Sequence, residues 1–379
     1  MGKACVVAFA ILLCSNCRND DNSQSNNVVA IETLAFLVPY DSIGVSVGDS
    51  SYMLGDIWAT SYTDEGNIAI LDKTYGGIRF YSDDGIHIED FLPRGEGPGE
   101  FLSLDRMCFD SEGNLILASY YDRKVALYSS ELEFIKEIVF TSGRNGPVRL
   151  DAGNDSSFVL MNFITEGDSI GTEVALFKDD QVPEVVYRKR MVSFDEGINH
   201  QKFTGMVFAT SDEGRVYIAD LYTQNYLITC YSPQGESLFT FGDRNYEPVY
   251  KPDSLVEYQT EMALEQYIDH YGTSDGFNYE PSPLFYPITS IAVDSNERIW
   301  VRGDLNTDEA RIFSSNGTYL YTVKGIFQNG QDADGYNFRV NPRGVLVDLR
   351  NPEEYPVVYQ VNEIRDPDPR HNGWTTTSD

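Results

Sequence analysis

The sequence repeats one short pattern: an apolar segment, a turn with an acidic residue and usually a glycine, and a second apolar segment that alternates with polar residues. The four clearest copies are Thr63–Ile70, Asp110–Leu117, Ser211–Ile218 and Asp294–Val301. Asp, Asn and Gly tolerate the positive φ angles that tight hairpin turns need, and alternation with period two is typical of strands. The pattern therefore predicts a series of β-hairpins.

Two weaker copies, Gly153–Leu160 and Val340–Val347, fill the gaps between the clear ones. After most hairpins, a third strand ends in an aromatic residue and is followed by a turn and a fourth strand. This continuation is found at Gly77–Gly85, Lys124–Ser130, Leu227–Gly235 and Ala310–Gly317. Four strands in units of roughly 40 to 50 residues are typical of propeller blades. We predict an all-β fold, a six-bladed β-propeller with four-stranded antiparallel blades over residues 31–364. An array of β-sandwiches explains the four-strand period less well, and the third unit, Val148–Arg188, departs most from the pattern.

The propeller ring must also be closed. We expect a strand near the N-terminus, at Ile31–Val38 or Ile43–Tyr52, to pair with the segment around Val357–Val361. Residues 365–379 are rich in Pro and Asp and are expected to form a loose tail.

A Gly- and Pro-rich stretch, Leu92–Phe101, joins the first two predicted blades. Three glycines and two prolines in ten residues exclude a helix or a central strand. A looser version follows at Phe241–Pro248, where Arg244 and Pro248 have the same separation as Arg94 and Pro98. The stretch is interpreted as a shaped connector between two β units.

Residues at about 250–286 interrupt the β pattern with a predicted helix over Ser254–Tyr271. Ser254 and Glu257 have the spacing of a capping box, apolar residues recur at helical spacing, and Gly272 is a natural C-terminal stop. The helix is either a lid or partner-binding element over the central cavity, or an element packed on a blade edge.

The first residues have the composition of a targeting segment rather than of a fold. Lys3 is followed by an apolar run, Ala4–Leu13, which is too short to span a bilayer and suits a signal peptide. The segment ending at Cys17 resembles a bacterial lipobox, which implies lipidation of Cys17; a plain secretory signal is the alternative. We thus expect a lipoprotein signal peptide at 1–17 and a flexible tether at 18–30.

The chain has a formal net charge of −31. A charge of this size repels phosphate backbones and anionic membrane surfaces, so we expect no nucleic-acid partner and membrane contact only through a lipid anchor. It is consistent with a monomer. Cys108 and Cys230 are predicted to be buried free thiols.

The repeat, the Arg94–Phe101 stretch and the lipobox together resemble the six-bladed β-propeller lipoproteins of Bacteroides and relatives, distant kin of the NHL and TolB-like propellers. The resemblance covers nearly the whole mature chain. It implies a propeller anchored by lipid in the outer membrane, on its periplasmic or cell-surface face, and it implies no particular chemistry.

Small molecules usually bind at the channel face of a propeller, where the first strand of each blade begins. The candidate ligand-binding residues are Trp58, Arg94, Glu96, Glu100, Asp105, Arg106 and Arg244. Arginine can clamp a carboxylate with two hydrogen bonds. The alternative for Arg94 is a structural role, with its side chain bonded to carbonyl groups of the connector or to Glu100.

We predict no catalytic residues, no metal site and no cofactor, because none of the four histidines lies in a metal spacing or beside a nucleophile motif. The expected function is non-catalytic binding of a peptide, a glycan or an envelope protein. The alternative is a metal-dependent hydrolase, lactonase or lyase with its site in the channel. A purely structural envelope component would have no cavity.

Overall fold

The computed structural model describes residues 34–141, 143–193, 205–221, 223–277, 279, 281–303, 309–325, 336–341, 344–349 and 356–365. The signal peptide with Cys17, the tether and nearly all of the predicted C-terminal tail lie outside the described residues.

The described residues form 24 strands, one 3₁₀ turn (Ser50–Tyr52) and one helix. The strand at the N-terminal end is β1 (Leu34–Ile43). The next four are β2 (Ile57–Tyr62), β3 (Ile68–Asp72), β4 (Gly77–Tyr81) and β5 (His87–Phe91). Then follow β6 (Arg106–Phe109), β7 (Leu115–Ser119), β8 (Lys124–Tyr128) and β9 (Phe134–Val139). The longest set is β10 (Arg144–Ala152), β11 (Phe158–Glu166), β12 (Ser169–Phe177) and β13 (Val185–Ser193).

The second half of the chain continues with β14 (Met206–Thr210), β15 (Val216–Asp220), β16 (Tyr226–Tyr231) and β17 (Ser237–Asp243). The helix α1 (Asp253–Tyr271) comes next. It is followed by β18 (Ser290–Val293), β19 (Ile299–Arg302), β20 (Glu309–Phe313) and β21 (Tyr319–Gly325). The last strands are β22 (Tyr336–Asn341), β23 (Gly344–Leu349) and β24 (Val357–Arg365).

The strands form a β-propeller, as predicted, with four antiparallel four-stranded sheets: β2–β5, β6–β9, β10–β13 and β14–β17. The fifth sheet has eight strands in the order β18-β19-β20-β21-β1-β24-β23-β22. Counted as hydrogen-bonded sheets, the propeller therefore has five blades, and the expectation of six was wrong. The reason is that β1 pairs on both edges, parallel to β21 and antiparallel to β24, and so joins two sets of strands into one sheet.

The closing strand β1 pairs where the sequence predicted; it begins inside the first candidate range and ends at the first residue of the second. Its residues Ala35–Ile43 run opposite Arg365–Val358 of β24, with a bulge after Pro39. Ala35, Leu37 and Ile43 are buried. The N-terminal strand is therefore part of the core.

Apolar side chains fill the spaces between successive sheets. The sheets β2–β5 and β6–β9, for example, enclose Leu71, Phe80 and Leu117. Within the eight-stranded sheet, Trp300 and Leu37 belong to one buried cluster, so its two halves share a core. The first strands contact one another in succession, from β2 through β6, β10, β14, β18 and β22 back to β2. These six strands surround the central channel.

The helix α1 occupies the predicted range, but the capping box does not form. Its N-cap position is Pro252, and no side chain caps the N-terminus. Gly272 ends the helix in the left-handed conformation (φ +73°), and its N–H donates to the Ile268 carbonyl at 2.7 Å. Tyr267 packs on Phe277 at a ring distance of 5.5 Å. The helix thus contacts the segment that follows it.

Both cysteines in the described part of the chain are free thiols, as predicted. Cys230 is buried in β16, but Cys108 is only partly buried because it lines the channel. None of the helices among the described residues is long and apolar enough to span a bilayer.

Candidate functional site

The central channel contains a cavity of about 750 Å³. Its wall is formed by five of the first strands and the turns that follow them: 58–64, 106–111, 148–154, 208 with 210–212, and 290–294. Each of these strands starts after a connector and runs into the turn of its hairpin. The starts of the strands therefore lie at one end of the channel, and the hairpin turns lie at the other.

An aromatic ring with two cations lies where the first strands start. The Nζ atom of Lys73 is 3.7 Å from the centre of the Trp58 ring, and the guanidinium carbon of Arg106 is 5.6 Å from it. The indole N–H of Trp58 donates to the Asp56 carboxylate at 2.6 Å. Cation–π contacts of this kind hold the ring and both cations in place. We call Trp58, Lys73 and Arg106 the cationic mouth.

Backbone carbonyls fix the orientation of Arg106. Its Nε donates to the Val148 carbonyl at 3.1 Å, and its Nη1 donates to the Asp105 carbonyl at 2.7 Å. Arg149, on β10, also lines the cavity. The guanidinium of Arg106 is thus a preorganised cation on the channel wall.

Carboxylates dominate the opposite end. The cavity wall there includes Asp64, Asp110, Asp151, Asp212 and Asp294, contributed by five different strands or their turns. We call these five residues the acidic end. The channel is therefore polar along its axis, with cations at one end and carboxylates at the other.

Two residues of the acidic end also shape their hairpin turns. Asp110 accepts hydrogen bonds from the backbone N–H groups of Glu112 (2.9 Å) and Asn114 (2.8 Å). Asp294 accepts from the Arg298 Nε (2.7 Å) and the Trp300 indole (2.9 Å). The repeated acidic residue of the sequence pattern is therefore a structural part of these turns.

Asp151 differs from the other carboxylates of the acidic end. It lies on β10, and its carboxylate accepts from the backbone N–H groups of Thr210 (2.8 Å) and Ala152 (3.0 Å). Although the residue lines the cavity, protein surrounds it closely, and this burial raises the pKa of its carboxyl from 3.8 to about 6. The hydrogen bonds from Thr210 and Ala152 lower the pKa of Asp151, and the nearby Asp212 charge raises it. Burial has the largest effect, so the pKa stays above its ordinary value.

Asp151→Asn is expected to stabilise the protein at pH 8 by about 1 to 2 kcal/mol. A folded-state pKa above the unfolded value means that the folded chain binds the proton more tightly between about pH 4 and pH 6. The contribution of Asp151 to stability is therefore highest below this window and declines as the pH rises through it. Thermal melts at pH 4 and pH 8 test this, with the exposed Asp168→Asn as control. An equal effect of Asp151→Asn at both pH values would contradict the prediction.

Among the sequence-predicted residues, Trp58 and Arg106 line the channel, and Asp105 lies just outside the wall. Asp105 is buried, and its Oδ2 accepts from the Tyr120 N–H at 2.8 Å, so it supports the loop after β7. Arg244 is exposed in the turn after β17 and does not line the cavity.

The connector residues Arg94, Glu96 and Glu100 are exposed and also lie outside the cavity wall. The connector is held by other groups: the Gly97 N–H donates to Glu100 Oε2 at 2.9 Å. The Arg94 backbone N–H donates to the Leu92 carbonyl at 2.8 Å, and the Arg94 backbone forms a bridge to Phe101. The structural role considered for the Arg94 side chain stays a prediction.

The rest of the connector is fixed to the second sheet. The Gly99 N–H donates to Glu137 Oε2 at 2.9 Å, and the Gly99 carbonyl accepts from the Tyr128 hydroxyl. Lys124 joins Glu137 in an ion pair at 3.3 Å. The connector thus locks the first sheet to the outer strands of the second.

Sequence reasoning missed Lys73, Arg149 and the acidic end. The signal for the acidic end was available, because the acidic turn residue recurs in every clear copy of the repeat and all these turns must lie on one face. Lys73 gave no signal, since its contact with Trp58 depends on the pairing of β2 with β3.

The described residues hold no group of three His, Cys, Asp or Glu side chains placed to bind a metal ion.

Solved structures share the fold. A member of the DUF4221 family from Bacteroides vulgatus matches 88% of this chain and 100% of its own at 9% identity, with a TM-score of 0.54. A putative exported protein from Bacteroides fragilis matches 87% and 96% of the two chains at 13% identity, with a TM-score of 0.48. A gluconolactonase from Xanthomonas campestris matches 86% and 97% at 11% identity, with a TM-score of 0.46. No family model and no curated protein matches the chain. The strand order of this chain is that of a β-propeller, and the DUF4221 family member from Bacteroides vulgatus is among its structural neighbours.

Proposed function

We propose that this protein is a lipid-anchored propeller of the cell envelope that binds, without transforming it, a carboxylate-bearing peptide or glycan at the cationic mouth of its channel. The observation that carries the proposal is the Trp58 ring with Lys73 at 3.7 Å and Arg106 at 5.6 Å. Acidic residues outnumber basic ones by 59 to 28, yet Arg106 on the channel wall and the exposed Lys73 outside it both contact the Trp58 ring.

The electrostatics of the mouth favour an anion of limited size. The acidic surface repels anions in general, so an anionic ligand is attracted only where local cations outweigh the field of the whole molecule. Arg106 is held by two carbonyls and needs little reorganisation to bind a carboxylate. The Trp58 ring offers a flat apolar face beside that cation, which suits a sugar ring or a peptide side chain.

Arg106→Gln is expected to weaken binding of carboxylate probes at least about tenfold, because a hydrogen bond to a charged group contributes roughly 1.5 to 3 kcal/mol. The probes are trigalacturonate and pentaalanine with free termini, and calorimetry measures their dissociation constants. The matched control is Arg94→Gln, which removes an exposed arginine outside the cavity and is expected to leave binding unchanged. Equal losses in the two variants, or no binding of either probe to the unaltered protein, would refute the proposal.

The proposed lipid anchor is supported by the apolar run before Cys17 and the polar tether after it. Cys17→Ala is expected to move the protein from the membrane fraction to the soluble fraction, because one lipidated residue then no longer tethers the domain. Fractionation followed by immunoblotting measures this. A variant that stays with the membrane would disprove anchoring through Cys17.

A further inference from the structure

The polarity of the channel restricts its ligand more than the cationic mouth alone does. The mouth supplies Arg106 and Trp58, while Asp64, Asp212 and Asp294 line the far end. A ligand with a single negative charge gains at the mouth but is repelled if it extends along the axis. A ligand with a negative group at one end and a positive group at the other gains at both.

The wall between the two ends carries an unused polar group. Thr60 lies between Trp58 and Asp64 on the strand and turn that line the cavity, and only 6% of its surface is exposed. Its hydroxyl has no hydrogen-bond partner among the residues that the structure describes. Buried hydroxyls are normally paired, so this one is suited to a ligand with hydrogen-bonding groups along its length. Amide groups, which both donate and accept, meet that requirement.

The dimensions of the channel set the length of the ligand. Trp58 and Tyr62 are four residues apart on β2, which corresponds to about 13 Å at roughly 3.3 Å per residue, and Asp64 lies in the turn just beyond. An extended peptide advances by a similar distance per residue, so about five residues with their two terminal charges cover this length. The cavity of about 750 Å³ lies within the usual range for ligand pockets.

We infer that the channel binds a linear peptide of about five residues with both termini free. Its C-terminal carboxylate lies at Arg106 beside Trp58, and its N-terminal ammonium lies between Asp64 and Asp212 at the acidic end. Asp294 is already paired with Arg298 at 2.7 Å and takes no part. This inference rests on the proposed function, and it names the ligand class and its direction. A uronate glycan satisfies the mouth but brings no cation to the acidic end.

The test uses the full mature chain and pentaalanine in four forms: free, N-acetylated, C-amidated and blocked at both ends. Calorimetry is expected to show that blocking either terminus weakens binding at least about tenfold and that the doubly blocked peptide binds weakest. Asp212→Asn is expected to weaken binding of the free peptide while leaving the acetylated one unchanged. Arg106→Gln is expected to weaken binding of the free peptide while leaving the amidated one unchanged. Asp168→Asn, outside the channel, is the control for lost negative charge.

The results separate this inference from the proposed function. If amidation weakens binding and acetylation does not, or if trigalacturonate binds and pentaalanine does not, the dipolar peptide is wrong and carboxylate binding at the mouth stands. If neither blocking group changes affinity, or if no probe binds, both are overturned.

A length series from three to eight alanines is expected to reach its highest affinity near five, and an affinity independent of length would contradict binding along the channel.

Discussion

A chain that begins at residue 44 is expected to lose cooperative folding, whereas a chain that begins at residue 33 melts like the full protein. The missing strand β1 pairs with β21 through Leu34–Leu37 and with β24 along most of its length. Its removal exposes two strand edges and uncovers the apolar surface around Leu37 and Ile43. Each of these side chains contributes about 1.5 to 3 kcal/mol by burial, and a whole domain is stable by only about 5 to 15 kcal/mol.

Circular dichroism during heating, and size-exclusion chromatography, measure the effect. A peptide with the sequence of residues 33–43, added to the shortened chain, is expected to restore part of the transition because it can occupy the vacant position between β21 and β24. Within the full chain, Leu37→Ala is expected to destabilise by about 2 to 5 kcal/mol, and the exposed Val47→Ala is the control. A shortened chain that melts cooperatively within a few degrees of the full one would show that β1 is not needed for closure.

Local sequence signals predicted the hairpins well. In the turn that follows β6, Asp110 bonds to two backbone N–H groups of its own turn, and Gly113 has the positive φ angle (+81°) that the pattern demanded. These interactions join residues at most four apart, so the sequence of the turn alone specifies them. The same holds for the end of α1 at Gly272.

The sequence could not predict interactions between residues far apart in the chain. The parallel pairing of β1 with β21 brings together residues almost 300 positions apart, and no local pattern specifies it; this pairing changed the count of sheets. At the start of α1, the capping box of Ser254 and Glu257 does not form because the helix begins earlier, with Pro252 at the N-cap, and Ser254 therefore lies inside the first turn.

In the candidate site, too, the sequence predicted what depends on local signals and missed what depends on contacts between distant residues. Trp58 and Arg106 were identified because they lie near the starts of the first strands, which follows from the repeat. Arg94 and Arg244 were included because the loops that enter the first strands were expected to form the channel face, but both lie in exposed connectors outside the cavity wall. A connector's position next to a first strand does not decide which way its side chains point, and that depends on contacts such as Gly99 with Tyr128.

Gly99→Ala is expected to destabilise the protein by about 3 kcal/mol or more. Gly99 has a φ of +77°, and a Cβ atom there would lie 2.6 Å from a ring carbon of Phe134 and 2.8 Å from the Tyr128 hydroxyl. The left-handed conformation alone costs an alanine about 1 to 2 kcal/mol, and forcing extra volume into a packed site adds about 1 to 3 kcal/mol. The chain must also keep the Gly99 N–H within reach of Glu137, so the connector cannot move away to relieve the overlap.

The matched control is Gly167→Ala, because Gly167 also has a positive φ (+54°) but no atom within 4 Å of the added Cβ. Gly167→Ala is expected to cost only the conformational term of about 1 to 2 kcal/mol. Urea unfolding gives both free energies, and their difference measures how tightly the connector is packed against β8 and β9. Equal losses in the two variants would mean that the connector yields to the added methyl group, and its part in locking the first sheet to the second would have to be abandoned. A larger loss for Gly99→Ala would show that the connector is packed rigidly against Tyr128 and Phe134, so that it joins the first sheet to the second through side-chain contacts as well as through the chain.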